Sequence, residues 1–375
     1  MSRKAPRVLA GEEEIHTIDD WRRVAGPKSG DAHWALGRSA YECARAWCPE
    51  GETPRVPEEI ESIVRQASDS GRARIITAWP EHKVRFDTLP GEPRNADVNA
   101  IAEGSRERIA ISIEAKADEP FGQTTREVLE SAVQRIARDE PTNAITRVQQ
   151  LARALFGTER SQRLPLGDVR YQLLTGIAGA IAFAREQEAS VAVFVVHEFV
   201  TDQTRDELHL RNMRDLNALV ERITHGMQVG LPCGRLSERI YYQGAPLFEG
   251  RARPKLYIAK ARRVTRSADN LGVFGRPYEQ LMACGVGAPS GVARGASQGA
   301  LRGGPFGEKT LYGAGEGGGV YLVENASGFY VVTSEAAFAG LLDDEEISTS
   351  SAYRFETAME REVWCGERFG GLGRG

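Results

Sequence analysis

Between Ala73 and Lys116 apolar and polar residues alternate with period two, in ARIITAW, HKVRFDTL, ADVNAIAE and RIAISIEAK, separated by turn formers such as LPGEPRN. Successive side chains of a strand point to opposite faces, so this pattern predicts a meander of three or four strands. From Thr124 the period lengthens to that of a helix. TTREVLESAVQRIARD, TNAITRVQQLARALFG and DVRYQLLTGIAGAIAFAREQ each carry one apolar stripe, which predicts three successive helices. VAVFVVHEF, from Val191 to Phe199, is a short continuous apolar run, the signature of a strand covered on both faces. One more helix, Arg205 to Ile223, and two strands, in RIYYQ and PKLYIAKARRV, are expected after it.

The region before the meander reads as mainly α. Thr17 and Asp20 form a capping-box variant at the head of TIDDWRRVAG. Ala40, Cys43, Ala44 and Trp47 fall at helical spacing behind a Ser39 cap, and Ile60, Ile63 and Val64 share one face of EEIESIVRQA. Helix, meander, helices, buried strand and helix together predict an α/β fold with a central mixed sheet flanked by helices. Residues 15–265 carry it, behind a flexible stretch at 1–14. Past residue 265 the composition turns to Gly, Ala, Ser and Arg, and 266–310 reads as a poorly ordered linker. Residues 311–375 suggest a small unit with a β-hairpin and a helix.

At 375 residues and 41% hydrophobic the chain can bury a large core. Its 48 Lys+Arg against 52 Asp+Glu give a formal charge of -4, so a nucleic-acid partner would have to be held by a local patch. The five cysteines lack zinc-site spacing, and no apolar signal stretch follows the N-terminus, so a cytoplasmic location is expected. The apolar run LLTGIAGAIAFA is shorter than the roughly 20 residues that span a bilayer and reads as a buried helix, with no membrane partner.

Chemistry concentrates in Asp97 and in Glu114 and Lys116 of ISIEAK. Glu114 and Lys116 are two apart and share a strand face, and a hairpin would set Asp97 beside Glu114. Two carboxylates that close repel unless a cation lies between them, and hard oxygen ligands suit Mg²⁺ or Mn²⁺. The bland reading is a solvated ion pair worth about 0–1 kcal/mol. Against it, Glu114 ends an apolar strand, where an unpaired carboxylate is costly to bury.

These residues resemble the PD-(D/E)xK nuclease superfamily. HWALGRSAYECARAW, EAKADEPFG, VRYQLLTGIAGA and FVVHEF together are similar to an uncharacterised bacterial domain family related to those nucleases, over residues 15 to 265. The resemblance implies a restriction-endonuclease-like α-β-β-β-α-β core and metal-dependent hydrolysis of phosphodiester bonds in nucleic acid. It implies Asp97 and Glu114 as ligands of Mg²⁺ or Mn²⁺, joined by Glu42 of the first core helix. Lys116 then assists the attack of water, and Gln172 is an auxiliary residue. The residue before Asp97 is Ala96, where the motif carries a variable proline, so Asp87 and Glu103 stand as alternative acids.

Arg147, Arg153, Arg160, Arg163 and Arg170 make a local basic excess that could grip a phosphate backbone, although arginines on the polar faces of helices are ordinary. His197 reads as a core or sheet-edge histidine, with lining the site beside Glu198 as its other role. Gly313 to Gly318 matches GxGxxG but precedes a strand, so it reads as a hairpin turn; Glu308 breaks the P-loop pattern in GPFGEKT. A homodimer is common among such folds. The competing reading is a catalytically silent binding module that keeps the fold. Convergence of the Asp97 and Glu114 carboxylates to about 5 Å, with Lys116 facing the same cleft, favours the enzyme.

Overall fold

The computed structural model describes residues 5–27, 34–157, 166–228, 230–248 and 253–265, and beyond them five strands within 266–375. Two compact units divide the chain, Met1–Thr265 and Arg266–Gly375.

The first unit is a seven-stranded mixed sheet between two helical layers. The expected meander is three strands, β3 (Arg74–Val84), β4 (Arg94–Glu103) and β5 (Arg108–Lys116), paired antiparallel. ARIITAW and the start of HKVRFDTL are one strand. Its side-chain alternation changes sense at Glu81, whose φ of 50° is left-handed. In consequence Trp79 and His82 both pack against Phe183. β6 (Val191–Val200) lies parallel to β5, and β7 (Lys255–Val264) parallel to β6. Every residue of β6 is buried, as a run covered on both faces requires.

One correction concerns the N-terminus, expected to be flexible over 1–14. β1 (Arg7–Ala10) pairs parallel with β3 and carries β2 (Glu13–Glu14) outside it. The reason is apolar: Val8 is 1% exposed in the core. A second correction is RIYYQ, which forms no strand; Ile240 makes one isolated bridge to Leu256.

Helices α1 (Ile18–Ala25), α2 (Ser39–Trp47) and α3 (Glu58–Ala67) cover one face, packing Trp21, Trp47 and Ile63 against Ile111 and Val193. The predicted capping box of Thr17 and Asp20 is present. Ser39 is the first helical residue of α2, and Arg38 is its N-cap. After β5 come α4 (Thr125–Ile136), α5 (Ala144–Phe156), α6 (Tyr171–Glu186) and, after β6, α7 (Asp206–Ile223). Leu151 of α5, Ile177 of α6 and Leu219 of α7 pack with Phe194 on the other face. Gly176 lets α6 sit close to the sheet, because a Cβ there would lie 2.6 Å from the Phe194 ring. No helix among the described residues is long and apolar enough to cross a membrane.

In the second unit, β8 (Arg276–Pro277), β9 (Leu311–Gly315), β10 (Gly318–Asn325), β11 (Gly328–Val332) and β12 (Ala352–Phe355) form a sheet in the order β8-β12-β11-β10-β9. The segment expected as a linker therefore contributes an edge strand. Gly315 and Gly318 pair across the β9–β10 turn, so the GxGxxG match is a hairpin. The expected helix after β11 and the GPFGEKT stretch lie outside the described residues.

Candidate active site

Alternation along β5 sends Ile109, Ile111 and Ile113 to the α1–α3 side and Ala110 to the α6 side. Glu114 and Lys116 follow Ala110 in parity, so both look toward α6. Val98 pairs with Ile113 across β4 and β5, which sets Asp97 level with Glu114. The carboxylate oxygen Oδ2 of Asp97 accepts the backbone N–H of Ala115 at 2.7 Å, between Glu114 and Lys116. Glu114 Oε1 accepts from Lys116 Nζ at 2.9 Å and from Gln172 Nε2, on the first turn of α6, at 2.5 Å. Its other oxygen, Oε2, is bound by Arg94 at the start of β4. Four sequence-predicted residues, Asp97, Glu114, Lys116 and Gln172, are thus brought together. Lys116 Nζ also sits 5.7 Å from the centroid of the Phe121 ring.

Burial sets the electrostatics. Glu114 is 3% exposed and Lys116 6%. Burial and the Glu114 charge push the Asp97 carboxyl up to about 8, with Lys116 pulling the other way. Burial would raise Glu114 as well, but Lys116 and Arg94 outweigh it and hold this carboxyl below the ordinary range. Burial works against the Lys116 charge, yet Glu114 and Asp97 prevail and keep the ammonium above its usual value. At neutral pH the set is a charged Glu114 with two cations and an Asp97 that holds its proton, which a bound cation would displace.

Glu42 is buried on α2, where it accepts the Gly37 N–H at 2.9 Å and pairs with Arg45 at 2.7 Å. No group of three His, Cys, Asp or Glu side chains suited to a metal is formed among the described residues. The alternative acids are engaged elsewhere: Asp87 pairs with Arg147 at 2.6 Å, and Glu103 is exposed at the far end of β4.

The predicted arginine grip divides. Arg153 is exposed on α5. Arg147 is half-buried against Asp87. Arg170 is buried, donating to Asp215 at 2.6 Å and to the Gly122 carbonyl at 2.8 Å, so it fastens the loop before α4 rather than offering a surface. Arg160 and Arg163 lie outside the described residues. His197 faces the α1–α3 side, bound to Glu59 at 2.9 Å and stacked near Phe199. It is a core residue.

Two participants escaped the sequence reading. Arg94 neutralises Glu114 from a position that resembles any loop arginine. Glu81, whose register on β3 falls opposite Asp97, adds a third negative charge that raises the Asp97 carboxyl further. A second buried cluster also escaped it. Glu198, level with Lys116 on β6, is bound by His209 of α7 through Nδ1, by Lys260 at 3.0 Å and by Arg262 at 3.4 Å.

A family model described as a domain of unknown function (DUF6946) matches residues 14–255. No curated protein and no solved structure matches the chain.

Proposed function

The chain belongs to the DUF6946 family, and we propose that it is a metal-dependent hydrolase of phosphodiester bonds in nucleic acid. The observation that carries this reading is the Asp97 carboxylate hydrogen-bonded to the peptide that links Glu114 to Lys116. Two acids and a lysine on adjacent strands, with a glutamine on the following helix, are the elements of the PD-(D/E)xK resemblance.

The donor set fits a small divalent ion. Mg²⁺ is commonly held by one or two carboxylates, with water and substrate oxygens completing its shell. Asp97 and Glu114 would hold it, with Arg94 withdrawing from Glu114 Oε2 to open that oxygen. A bound Mg²⁺ or Mn²⁺ would supply Lewis-acid polarisation of the phosphate and a more acidic water. Lys116 acts as a cation, because its ammonium is held charged by the two acids. It orients the attacking water by donation and offsets charge that develops on the phosphate oxygens. Gln172 and Lys116 share Oε1 of Glu114 and so fix the rotation of its carboxylate, which leaves Oε2 to Arg94.

The silent binding module is favoured by one observation: Lys116, Gln172 and Arg94 already satisfy Glu114. One assay separates the two readings. Labelled single- and double-stranded DNA and RNA are incubated with Mg²⁺ or Mn²⁺ and wild-type, Lys116→Ala or Asp97→Ala protein. Cleavage by the wild type and a loss of about 10²–10⁴-fold in each variant is expected. Absence of cleavage on all four substrates, or equal cleavage by the three proteins, overturns the assignment.

A further inference from the structure

We propose that a cavity beside the carboxylate pair is a phosphate-binding pocket, in which Arg85, Arg94 and Arg147 hold one tetrahedral anion. The cavity is about 140 Å³ and lies between the β3–β4 loop and the first turns of α6, where Tyr171 and Thr175 form its wall. That volume is well below the roughly 300–1,000 Å³ of pockets that enclose whole small molecules. It suits a single oxyanion with its waters.

The charges of the lining point the same way. Asp87 and Glu92 also border the cavity, but Asp87 is neutralised by Arg147 at 2.6 Å and Glu92 faces Lys83 at 3.3 Å. Arg94 is matched by Glu114. Arg85 forms no ion pair among the described residues; its terminal nitrogens donate to the carbonyls of Leu89 at 3.1 Å and Gly91 at 3.0 Å. The lining thus keeps one uncompensated guanidinium. The β3–β4 loop is pinned to α5 by Asn143, which donates to the Pro90 carbonyl at 3.0 Å, and by Arg147, so the wall is built before any ligand arrives. Planar guanidinium groups match phosphate oxygens two at a time.

Arg94 belongs to both sites. On one side its guanidinium holds Glu114, and on the other it borders the cavity. Were Glu114 to hold a metal ion, Arg94 would be free to turn toward the anion. The pocket would thereby seat a phosphate of the substrate next to the bond that Asp97, Glu114 and Lys116 address. Its identification with a nucleic-acid phosphate rests on the proposed hydrolase reading; the anion binding itself does not.

The test is calorimetric titration of the full chain with inorganic phosphate in the presence of a chelator. Saturable binding is expected in the wild type, weakened about tenfold in Arg85→Gln by loss of a charged hydrogen-bond donor. Arg85→Lys, which keeps the charge but loses the planar fork, is expected to weaken binding clearly less than Arg85→Gln does. Arg126→Ala, which removes an exposed partner of Asp168, is expected to bind as wild type does. Absence of saturable binding, or equal weakening in the Gln and Lys variants, overturns the pocket. A second arm compares one oligonucleotide with and without a terminal phosphate. Tighter binding of the phosphorylated strand assigns the anion to a strand end, and equal binding with the same Arg85 dependence assigns it to an internal phosphodiester. Mn²⁺ titration of the same variants reports on Asp97 and Glu114 separately. Absence of phosphate binding in the wild type with intact Mn²⁺ binding therefore refutes the pocket and leaves the hydrolase reading standing.

Discussion

Two buried charge clusters lie on the same face of one sheet, on neighbouring strands, and they are balanced in opposite senses. Around Glu198 one acid meets His209, Lys260 and Arg262. Burial opposes the Glu198 charge, but His209 and Lys260 outweigh it and hold the carboxyl well below its usual range. Around Glu114 there are two acids, with Glu81 behind them, and Asp97 is left with its carboxyl pushed up to about 8. In the first cluster the acid is matched by cations, and Glu198, His209 and Lys260 are at most 3% exposed, with the Arg262 side chain at 10%. The second keeps an unmatched acid beside a matched one. A protein that needs only to fold has reason to build the first kind; the second is the arrangement expected where a cation is to be received.

The largest effect expected from breaking this contrast is in the closed cluster. Glu198→Ala strands Lys260, which is 3% exposed and already lowered by burial. It should destabilise the first unit by about 3–5 kcal/mol, read from urea unfolding. The mutation should leave Mn²⁺ binding at Asp97 and Glu114 measurable in the folded fraction.

Opposite pH limbs sharpen the contrast further. Asp97 has a raised pKa, so it favours the fold fully below the ordinary carboxylate value, and that contribution is lost as pH rises toward 8. Without metal, thermal stability should fall across this window, and Asp97→Asn should flatten the fall and raise Tm at pH 8. His209 is depressed by burial to about 4, so in the unfolded chain it takes up a proton that the fold refuses. Its contribution should therefore be lost as pH drops from about 6.5 toward 4. A melting series at constant ionic strength that shows no difference between wild type and Asp97→Asn at pH 8 would remove the electrostatic argument for a cation site.

Much of the frame was legible because it rests on periodicity. VAVFVVHEF had to be buried on both faces, and ISIEAK had to point Glu114 and Lys116 together. Asp97 followed from hairpin geometry, and Gln172 from the resemblance. What stayed hidden depends on exceptions to local rules or on contacts distant in sequence. Glu81 is itself the left-handed residue that reverses the alternation of β3, and nothing in the sequence around it announces the reversal. Arg94 acts across the sheet on a residue twenty positions away. Arg170 looked like a surface grip, yet Asp215, 45 residues later, draws it inside. RVLA is too short to stand out as a strand, and it is recruited because β3 offers an edge and the core has room for Val8.

Gly176 carries a consequence for the site that its own position, a full helical turn from Gln172, does not advertise. The missing methyl sets how far α6 stands off from Phe194, and the same helix delivers the amide that holds Glu114. The residue is in effect a spacer of zero thickness for the candidate site. Gly176→Ala would change no functional group, but the helix would have to ride outward or the Phe194 ring give way. In the first case the alignment of Gln172 and Glu114 would be lost before the fold was.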